Sequence, residues 1–140
     1  MKRVYVDVVA DLFHIGHLNL FKKAKYLFDE PSYLIVGVHC DADVASYKRT
    51  PIYSEQERYE LVKSCKYVDH MIPAAPLNIT KDFIVINKID YVVHGDDTSP
   101  HFAEQHLAPL QMGIMKYLPY TQGISTTQLI QKIKIGRAHV

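Results

Sequence analysis

Two nearly unbroken apolar runs constrain this chain more than any other feature. They are Val4-Tyr5-Val6-Asp7-Val8-Val9 and Tyr33-Leu34-Ile35-Val36-Gly37-Val38. A strand with one wet face alternates apolar and polar residues. Continuous runs of this length belong to strands covered on both faces, as in a parallel sheet under helices. The intervening segments have the complementary character. Gly16 to Phe28 places Leu20, Ala24, Leu27 and Phe28 at helical spacing. Ser54-Glu55-Gln56-Glu57 is a capping box, and Leu61, Val62 and Cys65 continue that helix on one face.

The remaining elements follow the same alternation. Strands are expected over Arg3 to Val8, Tyr33 to Val38, Tyr67 to Ile72, Ile89 to His94 and Ile114 to Leu118. Thr80 caps a helix reaching Asn87, His101 to Leu107 forms a short helix ended by Pro109, and Thr126 to Lys134 forms the last. Strand–helix alternation implies one α/β domain with a five-stranded parallel sheet and helices on both faces. The chain has 140 residues, enough for one such core. Residues Ile135-Gly136-Arg137-Ala138-His139-Val140 match what a common sequencing adapter encodes. They are read as a non-native tail after a domain spanning 1–134.

Composition narrows the function classes. A formal charge of +1 gives no basis for binding nucleic acid or an acidic membrane. No apolar stretch has the length of a membrane span. Met1-Lys2-Arg3 leads straight into a strand, without the apolar core of a signal peptide. Two cysteines make no disulfide framework. A cytoplasmic location is the expectation.

The chemistry-bearing stretch is Asp11-Leu12-Phe13-His14-Ile15-Gly16-His17, directly after the first strand. Two histidines three apart at a helix start share a face. The free N–H groups there favour an anion, and Gly16 leaves room for close approach. Such a site suits a triphosphate. Zinc on this pair, completed by His39, Cys40 or His94, is disfavoured because no recognised metal spacing completes the set. In a parallel sheet, ligands sit beyond the carboxyl ends of the strands where strand order reverses. His14, His17, Asp41, Lys48, Asp96, Asp97 and the stretch Thr121 to Thr127 all follow strands, so they are expected to converge on one rim.

His14-Ile15-Gly16-His17 resembles the signature of the nucleotidyltransferase superfamily, which includes cytidylyltransferases and class I aminoacyl-tRNA synthetases. Thr121-Gln122-Gly123-Ile124-Ser125-Thr126-Thr127 is similar to a second motif of the cytidylyltransferases that activate phosphocholine, phosphoethanolamine and glycerol 3-phosphate. Lys48, Arg58 and Cys65-Lys66-Tyr67-Val68-Asp69 fall between them in the family's order. The resemblance runs from about Lys2 to Ile133 and implies a Rossmann-like fold. It implies cytidylyl transfer from CTP to a small phosphomonoester, phosphoethanolamine or phosphocholine before glycerol 3-phosphate, with Mg²⁺ accompanying CTP and a homodimer as the assembly.

In the roles it implies, His14, His17 and Lys48 are catalytic. Val9, Ala10, Asp11, Gly16, Arg58, Asp96, Thr121, Gly123, Ile124, Ser125 and Thr126 bind the nucleotide. Lys66 and Asp97 serve the second substrate, with a dimer contact as the other role for Lys66. Each has a plainer reading. Lys48 is otherwise a solvated loop charge, Arg58 a surface ion pair, Asp96 and Asp97 turn formers, and one residue of Ser125 to Thr127 an N-cap. Departures stand out at Val8, Ala10 and Tyr120. Val8-Val9-Ala10-Asp11 replaces a glycine-containing loop, and Tyr120 stands where the family has arginine. Arg49 or Lys116 would have to supply the missing cation. These departures keep a second reading open, a nucleotide-binding module without turnover.

Overall fold

The computed structural model describes residues 1–95, 102–119 and 125–138. Its strands are β1 (Arg3–Val8), β2 (Tyr33–Val38), β3 (His70–Pro73), β4 (Tyr91–Gly95) and β5 (Met115–Leu118). They form one sheet in the order β3-β2-β1-β4-β5, and every pair is parallel. The helices are α1 (Ile15–Lys25), α2 (Asp41–Ala45), α3 (Glu55–Lys63), α4 (Lys81–Ile86), α5 (Phe102–Gln105), α6 (Leu107–Gln111) and α7 (Thr126–Ala138).

The period of two along each strand sorts the core into two layers. Val4 and Val6 of β1, Leu34, Val36 and Val38 of β2 and Val93 of β4 pack with Phe21 and Ala24 of α1 and Val62 of α3. Tyr5, Ile35 and Val92 face the other way, onto Ile79, Ile84 and Ile89 with Phe83 and Ala108 around them. Both faces of the sheet are therefore covered, as the continuous apolar runs demand. Strand order reverses between β1 and β4, which puts the loops after these strands side by side.

Some boundaries differ from the sequence expectation. The Lys66–Tyr67 pair forms a turn, and β3 begins only at His70. The reason is Asp69, whose carboxylate accepts from Leu34 N at 2.7 Å and pairs with Lys25 Nζ at 2.7 Å. The single helix expected over His101 to Leu107 is two short ones, broken at His106, with His101 outside the described residues. Pro109 does not end a helix. It sits in the first turn of α6, where no helical hydrogen bond needs its missing N–H. The five-residue α2 was not anticipated, and α7 runs past Lys134 to Ala138.

Gly37 shows how tightly the second layer is packed. A Cβ there would overlap the Tyr5 hydroxyl and lie 2.7 Å from Ala75 Cβ. Tyr5 is fully buried, and its hydroxyl has no hydrogen-bond partner among the described residues. Gly37→Ala should therefore cost about 1–3 kcal/mol by overpacking. Tyr5→Phe should raise stability by about 1 kcal/mol by removing an unsatisfied group. The glycine substitution should also cost less in the Tyr5→Phe background. Urea midpoints of the two single variants and the double variant measure this; additive effects would contradict the contact.

Candidate active site

The loop leaving β1 is shaped by backbone that few side chains tolerate. Ala10 has φ 61° and Leu12 φ 48°, both left-handed, and neither is glycine. Asp11 between them is buried, and its carboxylate ties the loop down. Oδ1 accepts from Tyr53 N at 2.9 Å and Oδ2 from Ile52 N at 3.0 Å. The Asp11 carbonyl accepts from Thr126 Oγ1 at 2.8 Å, which brings the start of α7 onto the same loop. Ser125 caps that helix, accepting from Gln128 N at 3.1 Å. Ala10 is itself buried in the core, so its side chain offers nothing to a ligand.

His14 and His17 begin α1 as a reciprocal cap. His14 Nδ1 accepts from Gly16 N at 3.0 Å, and His17 Nδ1 accepts from His14 N at 3.1 Å. The spacing is that of a Ser-x-x-Glu capping box, built here from two imidazoles. A nitrogen that accepts carries no proton, so each neutral ring presents Nε2–H as its donor. The two rings lie 3.9 Å apart, centroid to centroid. Gly16 N–H, expected to face a phosphate, is engaged by His14 instead.

Burial depresses both histidines, and it lowers His17 to about 3, helped by repulsion from His14 and, more weakly, from Lys48, with the Asp11 carboxylate pulling the other way. His17 is thus a neutral donor at neutral pH. Lys48 is exposed in the loop after α2, yet close enough for its charge to be felt at His17. Of the two cations considered as stand-ins at Tyr120, Arg49 lies 3.9 Å from Asp11 Oδ2, while Lys116 rests over the Tyr91 ring at 5.4 Å. Arg49 is the one beside the loop.

Arg58 is not a surface ion pair, and the structure does not present it to a phosphate. It is fully buried. Nη1 donates to the carbonyls of Val9 and His39, each at 2.7 Å. Nε donates to the Tyr53 carbonyl at 3.3 Å, and Nη2 pairs with Asp41 Oδ1 at 2.7 Å. The guanidinium joins the ends of β1 and β2 to the loop before α3. Its position near an N-terminus, odd for a cation, reflects carbonyl acceptors rather than a ligand. The same contact occupies the carbonyl of Val9.

Lys66 is also displaced from its expected role. It lies before β3, at the amino-terminal edge of the parallel sheet, away from the loop after β1, with Nζ 5.1 Å from the Tyr67 ring centroid. Asp96, Asp97, Thr121, Gly123 and Ile124 lie outside the described residues.

The sequence reading missed a second polar group on this rim. Asp7 and His106 are buried, and His39 joins them. His39 Nε2 is 3.3 Å from Asp7 Oδ2, and His106 Nε2 is 3.5 Å from Asp7 Oδ1. Burial alone would raise the Asp7 carboxyl. Hydrogen bonds and charge from His106 and His39 outweigh it and hold the group below the usual carboxylate range. Strand alternation was the available signal. Asp7 follows Tyr5, and His39 follows Ile35 and Gly37, by steps of two on the face of the second core layer.

Residues 6–132 match the family model described as cytidylyltransferase-like. The chain belongs to the cytidylyltransferase-like family. It is 36% identical over 94% of its length to the ethanolamine-phosphate cytidylyltransferase of Dictyostelium discoideum, covering 36% of that protein. It is 38% identical over 94% of its length to the choline-phosphate cytidylyltransferase A of Homo sapiens, again covering 36%. The chain thus spans about a third of the length of these curated relatives. Among solved structures, the lipopolysaccharide core biosynthesis protein of Thermoplasma volcanium superposes with a TM-score of 0.67 at 29% identity, covering 86% of this chain and 97% of that one. Among the described residues, no helix is long and apolar enough to cross a membrane.

Two outcomes are expected. Arg58→Met should cost about 3–5 kcal/mol, because Asp41 and three carbonyls lose a buried cation, and Arg58→Lys should recover little, lacking the fork. Denaturant midpoints measure both. The second concerns pH. An unfolded histidine takes up its proton near pH 6.5, but folded His17 only near pH 3. Between these values the unfolded state binds more protons, so stability falls as pH drops, by at most about 1.4 kcal/mol per pH unit for this group. The difference between wild type and His17→Asn should show this slope; a flat difference from pH 6 to 4 would contradict it.

Proposed function

We propose that the chain transfers a cytidylyl group from CTP to a small phosphomonoester and releases pyrophosphate. The observation that carries this reading is the pair of Nε2–H donors fixed by mutual capping at the start of α1, beside the strand-order reversal. A phosphate oxygen of the second substrate attacks the α-phosphorus of CTP. The new P–O bond forms as the bond to the bridging oxygen of pyrophosphate breaks. The attacking oxygen is already anionic, so no strong base is needed, and neutral His17 is suited to donating rather than abstracting. His14 and His17 would hydrogen-bond the charge that develops on the phosphates, with Lys48 as the nearby cation.

Phosphoethanolamine and phosphocholine are the favoured second substrates, since relatives carry both in their names. Glycerol 3-phosphate is the alternative. Among the described residues, the carboxylates beside the histidine loop do not fit as Mg²⁺ ligands: Asp11 already accepts from Ile52 and Tyr53, and Asp41 from Arg58 and Glu55. The Mg²⁺ proposed with CTP would be carried by the triphosphate itself. A homodimer and a cytoplasmic site of action complete the proposal; exposed β3 at one sheet edge is compatible with pairing between copies.

Pyrophosphate release should be measured with CTP and each of the three phosphomonoesters. Turnover with at least one is expected, and none with ATP in place of CTP. His14→Ala and His17→Ala should each reduce turnover about a hundredfold or more. Saturable CTP binding without turnover on any of the three would instead identify a nucleotide-binding module. Near-normal turnover in both histidine variants would remove the mechanism.

A further inference from the structure

Arg49 is a cation whose place its protein contacts do not explain. Its side chain is 44% exposed, and among the described residues Asp11 alone pairs with it, with Nη2 3.9 Å from Oδ2. That distance lies beyond a hydrogen bond, which needs about 2.7–3.2 Å. Asp11 has little to offer in return. Its buried carboxylate already accepts from Ile52 N and Tyr53 N. A guanidinium carries five N–H donors. Arg58 has every arm of its fork engaged by protein. Arg49 stands half in solvent, beside a carboxylate that other donors have taken.

The backbone keeps this side chain at the rim. Lys48 N donates to the Val44 carbonyl at 2.9 Å, which extends the last turn of α2. On the other side, Ile52 and Tyr53 are bound to Asp11. The starts of α2 and α3 are joined as well. Asp41 N donates to Glu55 Oε1 at 3.0 Å, and Glu55 N to Asp41 Oδ2 at 3.3 Å. Residues 49–51 therefore bridge two fixed points, and the Arg49 backbone stays beside the β1 loop.

The surroundings favour an anion. His14 and His17, just beyond Asp11, present neutral N–H donors. The charges of Lys48 and Asp11 both reach His17. Lys48 and Arg49 together outweigh Asp11, so this part of the rim carries surplus positive charge. An exposed surplus cation beside fixed donors suits a ligand with several negative charges. We propose that Arg49 binds the triphosphate of the nucleotide, its fork taking two phosphate oxygens beside the His14–His17 pair. This rests on the reading of the chain as a cytidylyltransferase and adds a binding residue to it. A lysine gives phosphate a point charge, whereas an arginine gives two parallel hydrogen bonds that also fix direction. Lys116, the other cation considered for the rim, points elsewhere. Its Nζ lies over the ring of Tyr91, the first residue of β4, at the amino-terminal edge of the parallel sheet.

Titration calorimetry of the full chain with CTP, and with inorganic tripolyphosphate alone and in competition with CTP, tests this. Wild type should bind both, each excluding the other. Arg49→Gln should weaken both by at least about tenfold, the scale of one charge-assisted contact. Arg49→Lys should recover part of the loss, since it restores the charge without the fork. The fall of affinity with added salt should be shallower in Arg49→Gln than in wild type. Lys116→Gln, which removes the same charge from the other edge, should bind as wild type does. The urea midpoint of Arg49→Gln should match that of wild type, because the side chain is exposed and makes no hydrogen bond to protein. Wild-type binding that Arg49→Gln leaves unweakened would overturn this proposal alone, whatever the turnover of the wild-type chain. Equal losses in Arg49→Gln and Lys116→Gln would overturn it too, by assigning the effect to net charge. A loss with CTP but not with tripolyphosphate would place Arg49 on the base or ribose and overturn it equally, as would tripolyphosphate that fails to compete with CTP. No saturable binding of either ligand to wild type would remove the cytidylyltransferase reading and this proposal together.

Discussion

The Arg58 guanidinium organises the carboxyl end of this sheet. Strands β1 and β2 end side by side, and the carbonyls just beyond them would otherwise point into protein without partners. One buried fork meets the carbonyls of Val9, His39 and Tyr53 and the carboxylate of Asp41. A planar group with five donors can serve several acceptors at fixed angles, which an ammonium cannot. Three segments separated in sequence are thereby held in one arrangement. The loop that leads to His14 starts from the carbonyl this arginine holds.

On that frame, His14 and His17 hold each other. Capping by imidazole fixes ring orientation and tautomer through the backbone alone, with no carboxylate partner required. The result is a neutral pair presenting N–H groups, close to an exposed lysine whose charge reaches His17. Donors of this kind stabilise developing negative charge without adding or removing a proton. That suits the proposed reaction, whose nucleophile is already an anion.

The sheet was legible because its signal is local. Continuous apolar runs fixed β1 and β2 to the residue, and Ser54 and Thr80 marked helix starts through their own side chains. Residues whose roles depend on distant partners were less readable. Arg58 could be noticed as an anomaly, but its acceptors come from β1, β2 and the loop before α3. Lys66 could be matched to a motif, yet the turn before β3 moved it to the far edge. Asp7 passed as a lone polar residue within an apolar strand. Its meaning needed His106, which comes from a helix break that no periodicity announces. His14 and His17 were found, but their hydrogen bonds to the backbone were not.

The bond from Thr126 Oγ1 to the Asp11 carbonyl joins residues 115 positions apart. Nearly the whole chain separates the β1 loop from the helix that steadies it. During synthesis the first strand and the histidine helix emerge early, while Ala10 and Leu12 hold left-handed backbone that relaxes readily when unsupported. The sheet can gather around β1 before the last helix exists. The loop itself receives this tether only when α7 docks, so a segment made early waits for one made 115 residues later before its arrangement is complete.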